Sequence, residues 1–406
     1  MELILHAPKK IIKGSILLEG SKSISNRLLI LQKLCPGGFD IENLSPSDDT
    51  NTLKKLLLSD EELLDVGAAG TTMRFLTAYF AIAEGTRILT GSERMKKRPI
   101  KILVDALITL GADITYLEAE GYPPIRINGK KITGGKLAIR ADVSSQYISA
   151  LMMIGPLLEN GLILELKGNI GSFPYINMTL KTMEELGIKN KFFKNTITIF
   201  PGVYKPINMK AESDWSAASY YFSICALSEG SKISIHGLME LSLQGDSVLP
   251  EIYDQLGVTC SFKGDILELE NTGELVEELY YDFTDCPDLA QTVAVTCAAL
   301  GVNGQFTGVE SLKIKETDRT QALSNELAKF GVDFFEEDGF WILNGETTTD
   351  GPIKINTYED HRMAMCFAPL AIKHGQIIIE DPMVVKKSYP SFWSDLESLG
   401  FSTSVS

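Results

Sequence analysis

Six times along this 406-residue chain a glycine turn opens into an apolar strand. The stretches are "PGGFDIENL", "AEGTRILTG", "ENGLILELKG", "SEGSKISIHG", "VNGQFTGVE" and "KHGQIIIED", and their glycines are Gly38, Gly85, Gly161, Gly230, Gly304 and Gly375. Successive spacings are 47, 76, 69, 74 and 71 residues. A second series, Gly111, Gly187, Gly257, Gly331 and Gly400, trails the last five by 25 to 27 residues, as in "ITLGADITY" and "EELGIKNKF". Two phases that keep step over the whole length mark a repeated supersecondary unit. Each trailing glycine offers the left-handed backbone with which a helix ends before a strand begins.

Each unit therefore reads as helix, strand, helix, strand, strand, with a further strand leading in. The first helix of each is an apolar run opened by a polar residue: Ser25, Thr71, Ser144, Asp214, Asp288 and Asp360. Such residues cap the free N–H groups at a helix start. Six apolar helices in so regular an order are expected to be buried and parallel. Six units divide into two groups of three, giving an α/β (α+β) chain of two similar domains. The shorter first spacing predicts an abbreviated first unit.

Composition excludes several classes. The net charge is −15, with 44% hydrophobic and 22% charged residues. That acidity argues against nucleic-acid and membrane partners, since both need a basic face. No apolar run is long enough for a membrane span, and the opening "MELILHAPKKIIKG" reads as a strand rather than a signal peptide. The six cysteines are scattered without a CxxC pair, as expected of free thiols in a reducing cytoplasm. The four histidines show no metal-ligand spacing, so no metal is expected.

Against this acidic background the cations stand out. Lys22 and Arg27 fall in "GSKSISNRLL", where a helix begins. Arg74 lies one turn into the next apolar helix, and Arg362 is beside the cap of the sixth. Other cations sit in "SERMKKRPI", "LKIKETDR" and "VVKKSYP". A cation at a helix N-terminus opposes the macrodipole unless an anion bridges the two. Lys22, Ser23 and Arg27 thus read as half of an anion site, while Lys96 and Lys97 read as solvated surface. Asp288 and Glu316 lie among the cation-bearing loops, where a proton carrier would be useful.

The motifs "GSKSISNR", "GTTMRFL", "RMKKRPI", "VSSQY", "SFPYINMTL", "CPDLAQT", "IKETDR", "EDHRMAM" and "KKSYP" closely resemble those of the 5-enolpyruvylshikimate-3-phosphate (EPSP) synthase family, in the family's order and over residues 20 to 390. The resemblance implies two inside-out α/β barrel domains, each of three βαβαββ units around buried helices. It divides the chain into residues 1–19 plus 213–406 and residues 20–212, with the active site in the cleft between. The implied reaction moves the carboxyvinyl group of phosphoenolpyruvate to the 5-hydroxyl of shikimate 3-phosphate in the shikimate pathway to aromatic amino acids, releasing phosphate.

By motif, the resemblance assigns shikimate 3-phosphate to Lys22, Ser23, Arg27, Ser144, Ser145, Gln146, Ser172, Tyr175, Asp288, Ser311 and Lys315. It assigns phosphoenolpyruvate to Lys22, Gly70, Arg98, Gln146, Arg319, Arg362 and Lys387. Asp288, Glu316 and Lys22 are the implied catalytic groups, and His361 is a candidate to tune Glu316 or touch phosphate. No cofactor is implied, and a monomer is expected. Two positions depart from the family pattern: Ala68 and Ser311 each stand where it usually carries Asn. The rival readings are the related transferase acting on UDP-N-acetylglucosamine and a non-catalytic anion-binding repeat protein. The first commonly carries a cysteine in the loop that reads "GSERMKKRPIK" here, and the second would need no paired acids.

Overall fold

All five trailing glycines adopt positive φ, from 76° at Gly257 and Gly331 to 108° at Gly111. In the leading series Gly304 differs: it lies in the strand Asn303–Thr307, and an added Cβ would strike the Phe306 ring. The left-handed turn of that unit is made three residues earlier by Gly301 (φ 70°), which ends the helix Ala290–Leu300.

The computed structural model describes residues 1–142, 144–349 and 351–405, so Val143 of "VSSQY" lies outside them. The chain divides into two units: Met1–Gly20 with Glu212–Ser406, and Ser21–Ala211. Among the described residues, five of the six repeats build a four-stranded sheet of one pattern. In the second, the lead-in strand Leu63–Asp65 pairs in parallel with Gly85–Thr90, across the helix Gly70–Ile82. Ile125–Gly129 and Asp113–Tyr116 then add antiparallel. The crossover helix is what a parallel pair demands.

The first repeat is abbreviated, keeping only Ile41–Glu42 paired with Met209–Lys210. The last repeat is completed from the other end of the chain: Leu3–His6 lies between Gln376–Ile379 and Ser402–Val405. The next strand, Lys13–Leu17, leads into the fourth repeat beside Lys232–His236.

Each unit has its own apolar core, and the crossover helices form its centre. In Trp215–Leu227 every residue but Ser216 and Leu227 is buried; Ala290–Leu300 and His361–Phe367 are enclosed in the same way. Such helices cannot be amphipathic, because they meet protein on all sides.

Three expected caps are corrected. Ser25 lies inside the helix Lys22–Leu34, where its hydroxyl accepts from the Ser45 N–H. Thr71 is the second residue of Gly70–Ile82, whose cap position is Ala69. Asp288 sits in a short turn before Ala290–Leu300 and caps nothing, because its carboxylate is engaged by cations. Ser144, Asp214 and Asp360 do cap, accepting from the N–H groups of Gln146, Ser216 and Arg362.

Candidate functional site

In the unit Ser21–Ala211 the helix Lys22–Leu34 carries no acid in its first turn. Lys22 Nζ instead meets Asp49 Oδ2 at 3.2 Å, a partner supplied by the helix Asp48–Leu57. One turn on, the Arg27 guanidinium is buried. It donates to Ser23 O at 2.8 Å, Thr179 Oγ1 at 2.7 Å, Ser149 Oγ at 3.1 Å and Tyr175 O at 3.2 Å. It lies over the rings of Phe75 and Tyr175. Every one of these hydrogen-bond acceptors is neutral, and burial lowers the Arg27 pKa to about 10. A desolvated cation held only by dipoles is a strong attractor for an anion.

The same unit carries further predicted residues. The helix Ser145–Ile154 starts at Ser144 and Ser145, and Gln146 Nε2 donates to Thr71 Oγ1 at 3.1 Å. Ser172 precedes the helix Phe173–Glu185 in left-handed backbone (φ 56°, ψ 41°), and its hydroxyl does not cap that helix. A non-glycine residue held there is unusual. Gly70 and Arg98 are neighbours: a Cβ on Gly70 would lie 2.7 Å from Arg98 Nη1. The space that the missing side chain leaves is thus taken by the guanidinium. Arg74 is structural, donating to Gly70 O and Pro99 O, and Lys96 pairs on the surface with Glu93 and Glu118.

In the other unit the charges interlock. Asp318 caps the helix Arg319–Ala328 and sets Arg319 at its first position. Arg319 reaches three carboxylates: Asp360 Oδ2 at 2.7 Å, Glu316 Oε2 at 2.9 Å and Asp288 Oδ1 at 3.0 Å. Asp288 also meets Arg362 Nη2 at 2.9 Å and Lys315 Nζ at 3.7 Å. Glu316 meets Lys387 Nζ at 3.8 Å. Ser311 lies in the turn Glu310–Ile314 that leads into Lys315. Burial alone would raise the Asp288 carboxyl, but Arg362, Lys315 and Arg319 hold it far below the usual carboxylate range. Burial would likewise lower Arg319, and Asp360, Glu316 and Asp288 outweigh it. His361 is buried, its Nδ1 3.4 Å from Asp360 Oδ1.

The structure thus gathers Asp288, Glu316, Lys315, Arg319, Arg362 and Lys387 into one network in this unit. In the other it links Lys22 to Asp49, Ser23, Arg27 and Tyr175 to one another, and Gly70 to Arg98.

Several participants escaped sequence reading. Asp49 had no visible link to Lys22 across 27 residues. Ser149 and Thr179 are polar residues within apolar helices, and only the four-residue step from Tyr175 to Thr179 carries a sign of a shared face. Asp360 is the expected cap and also the bidentate partner of Arg319. Ser216 links Arg362 to the buried Asp246: its hydroxyl accepts from Arg362 Nη2 at 3.3 Å and donates to Asp246. Among the described residues no cluster of three or more His, Cys, Asp or Glu is arranged to hold a metal, and no helix is long and apolar enough to cross a membrane.

Comparison with known proteins gives a consistent picture. A model of the EPSP synthase (3-phosphoshikimate 1-carboxyvinyltransferase) family matches residues 53–396. A relative from Bacteroides fragilis (strain YCH46), named 3-phosphoshikimate 1-carboxyvinyltransferase, is 48% identical over 409 residues, covering 100% of this chain and 99% of its own. One of the same name from Haemophilus influenzae (strain PittEE) is 37% identical over 434 residues, covering 98% and 99%. Among solved structures, an EPSP synthase from Acinetobacter baumannii matches with a TM-score of 0.81 over 100% of both chains; at 20% identity this likeness is one of fold.

Proposed function

The chain belongs to the EPSP synthase (3-phosphoshikimate 1-carboxyvinyltransferase) family, and from that premise we propose how its residues carry out the family reaction. It transfers the carboxyvinyl group of phosphoenolpyruvate to the 5-hydroxyl of shikimate 3-phosphate and releases inorganic phosphate. The single observation that carries the assignment of roles is Arg319, one buried guanidinium holding both Asp288 and Glu316. Two carboxylates on one cation are placed to serve as base and acid on neighbouring atoms of a substrate.

Shikimate 3-phosphate is held by Ser23, Arg27, Ser144, Ser145, Gln146, Ser172, Ser311 and Lys315, with Tyr175 against its ring. Phosphoenolpyruvate is held by Lys22, Gly70, Arg98, Gln146, Arg319, Arg362 and Lys387. Guanidinium groups bind carboxylate and phosphate in a fixed plane, which orients the reacting carbon.

Asp288 begins as a poor base, since three cations share its charge. The anionic substrates draw those cations away, and its proton affinity rises as they leave. Asp288 then takes the 5-hydroxyl proton while the oxygen attacks C2 of phosphoenolpyruvate, and Glu316, which enters the cycle protonated, delivers that proton to the methylene carbon. In the tetrahedral intermediate the old methylene is a methyl group. Glu316 removes one proton from it, the C–O bond to phosphate breaks, and the proton held by Asp288 leaves with the phosphate. Lys22 and Lys387 offset the charge that grows on the leaving oxygen. No proton is gained or lost by the protein over the cycle.

The six free thiols, five of them buried, fit a reducing cytoplasm, and a monomer carries all the groups named. The assignment is tested by incubating the purified chain with phosphoenolpyruvate and either shikimate 3-phosphate or UDP-N-acetylglucosamine. The first pair should give a carboxyvinyl ether at O5, seen by proton and phosphorus NMR. Product from the second pair alone would overturn it.

A further inference from the structure

The helix Arg319–Ala328 carries a second buried charge that the reaction does not use. Glu326 lies seven residues after Arg319, hence on the same face and about 10 Å along the axis. Its side chain is fully enclosed, with an exposure of 0%. One carboxylate oxygen accepts from the Asn356 N–H at 3.0 Å and from Lys329 Nζ at 2.5 Å. The other accepts from the Tyr358 hydroxyl at 2.7 Å. Lys329 further donates to Lys354 O at 2.9 Å.

What Glu326 grips is the approach to Asp360 and Arg362. Tyr358 and Glu359 are consecutive non-glycine residues at φ 54° and 57°. Backbone in this region costs of order 1 kcal/mol or more per residue and persists only where its surroundings hold it. Immediately afterwards the chain turns back, with the Asp360 N–H donating to Thr357 O at 2.9 Å. It then presents Asp360 to Arg319 and to the N–H of Arg362. One helix therefore fastens residues 356–360 at two points: Glu326 at one end of the segment and Arg319 at the other.

We propose that Glu326 and Tyr358 are positioning residues for phosphoenolpyruvate binding. Their hydrogen bond fixes the left-handed Tyr358–Glu359 turn, which sets Asp360, and through it the aim of Arg319 and Arg362. This deepens the functional reading above and rests on it. Neither residue touches substrate. Loosening the turn leaves both guanidinium groups in place but no longer pre-aimed, so the loss falls on phosphoenolpyruvate and spares shikimate 3-phosphate.

Steady-state kinetics and melting curves of the full chain test this, using Tyr358→Phe, Glu326→Gln and Glu326→Ala. Tyr358→Phe should raise KM for phosphoenolpyruvate about threefold to tenfold, as partial loss of one charge-assisted hydrogen bond would. KM for shikimate 3-phosphate should stay within about twofold in the same variant. Glu326→Gln keeps the shape and one acceptor oxygen, so it should recover part of the loss seen in Glu326→Ala. If Glu326→Ala does not fold, Tyr358→Phe decides alone. An unchanged KM for phosphoenolpyruvate in the folded variants, or a parallel rise of both KM values, would overturn the inference while leaving the function intact. Absence of turnover by the unsubstituted chain would overturn both.

Discussion

The Arg27 guanidinium stands over the Tyr175 ring, 5.7 Å from its centroid, and also donates a hydrogen bond to the Tyr175 carbonyl. Tyr175 so fixes the cation from two directions, while none of the hydrogen-bond acceptors around it is charged. Arg27→Ala should therefore weaken shikimate 3-phosphate binding about a hundredfold or more, and phosphoenolpyruvate binding by far less. Calorimetric titration of each ligand separately distinguishes this from an equal loss of both.

Asp288 presents a different balance. Its carboxylate occupies Arg319 and Arg362, so it competes with an incoming anion for the same donors. Asp288→Asn should lower turnover about a hundredfold or more by removing the base. It should also bind phosphoenolpyruvate at least as tightly as the unsubstituted chain. Weaker binding in the folded variant would show that the carboxylate aims the two guanidiniums rather than competing for them.

The Asp246 carboxyl, 3% exposed, is pushed up to about 7 by burial and then by the Asp288 charge. Arg362 and the Ser216 hydroxyl act in the opposite direction, and Asp214 adds to the rise. Because the folded chain holds this proton more tightly than the unfolded chain, the stability that the proton contributes is full below about pH 4. It is lost as pH rises toward 7. Asp246→Asn removes that dependence. Its stability relative to the unsubstituted chain should climb by up to about 4 kcal/mol between pH 4 and 7 and level off above. A pH-independent difference in chemical denaturation would contradict this.

Gly70 gives a test of shape. A methyl group there would meet Arg98 Nη1 at 2.7 Å and Cζ at 3.0 Å. The end of a flexible side chain can retreat, so Gly70→Ala should fold with nearly unchanged melting temperature. The displaced guanidinium should raise KM for phosphoenolpyruvate about tenfold, with shikimate 3-phosphate affinity unchanged by direct titration.

The architecture was legible because glycine spacing records it directly. Gly111, Gly187, Gly257, Gly331 and Gly400 all take the left-handed backbone that a helix end requires. The shortened first repeat showed in the first spacing, and the structure leaves it a two-stranded remnant. Gly304 misleads, since a glycine before a strand looks the same whether it turns the chain or leaves room for the tip of the Phe306 ring.

Individual roles were legible only where a motif carried them. Local chemistry favoured Asp288 as a helix cap, yet its partners come from positions 31 and 74 residues away. Sequence order holds no trace of such pairs. Asp360 shows the limit from the other side: its capping role was local and readable, while its grip on Arg319, 41 residues distant, was not. Nothing in the sequence marks Glu326 or Asp246 as buried, because burial is a property of the fold rather than of the residue.

Addition followed by elimination, with Glu316 carrying the proton, is most directly tested in deuterated water. The chain is given phosphoenolpyruvate and shikimate 3-phosphate, and the vinyl methylene of product and recovered phosphoenolpyruvate is read by NMR or mass spectrometry. The mechanism predicts deuterium in both methylene groups, only when shikimate 3-phosphate is present, and its loss in Glu316→Gln. Product whose vinyl protons all come from the original phosphoenolpyruvate would contradict it.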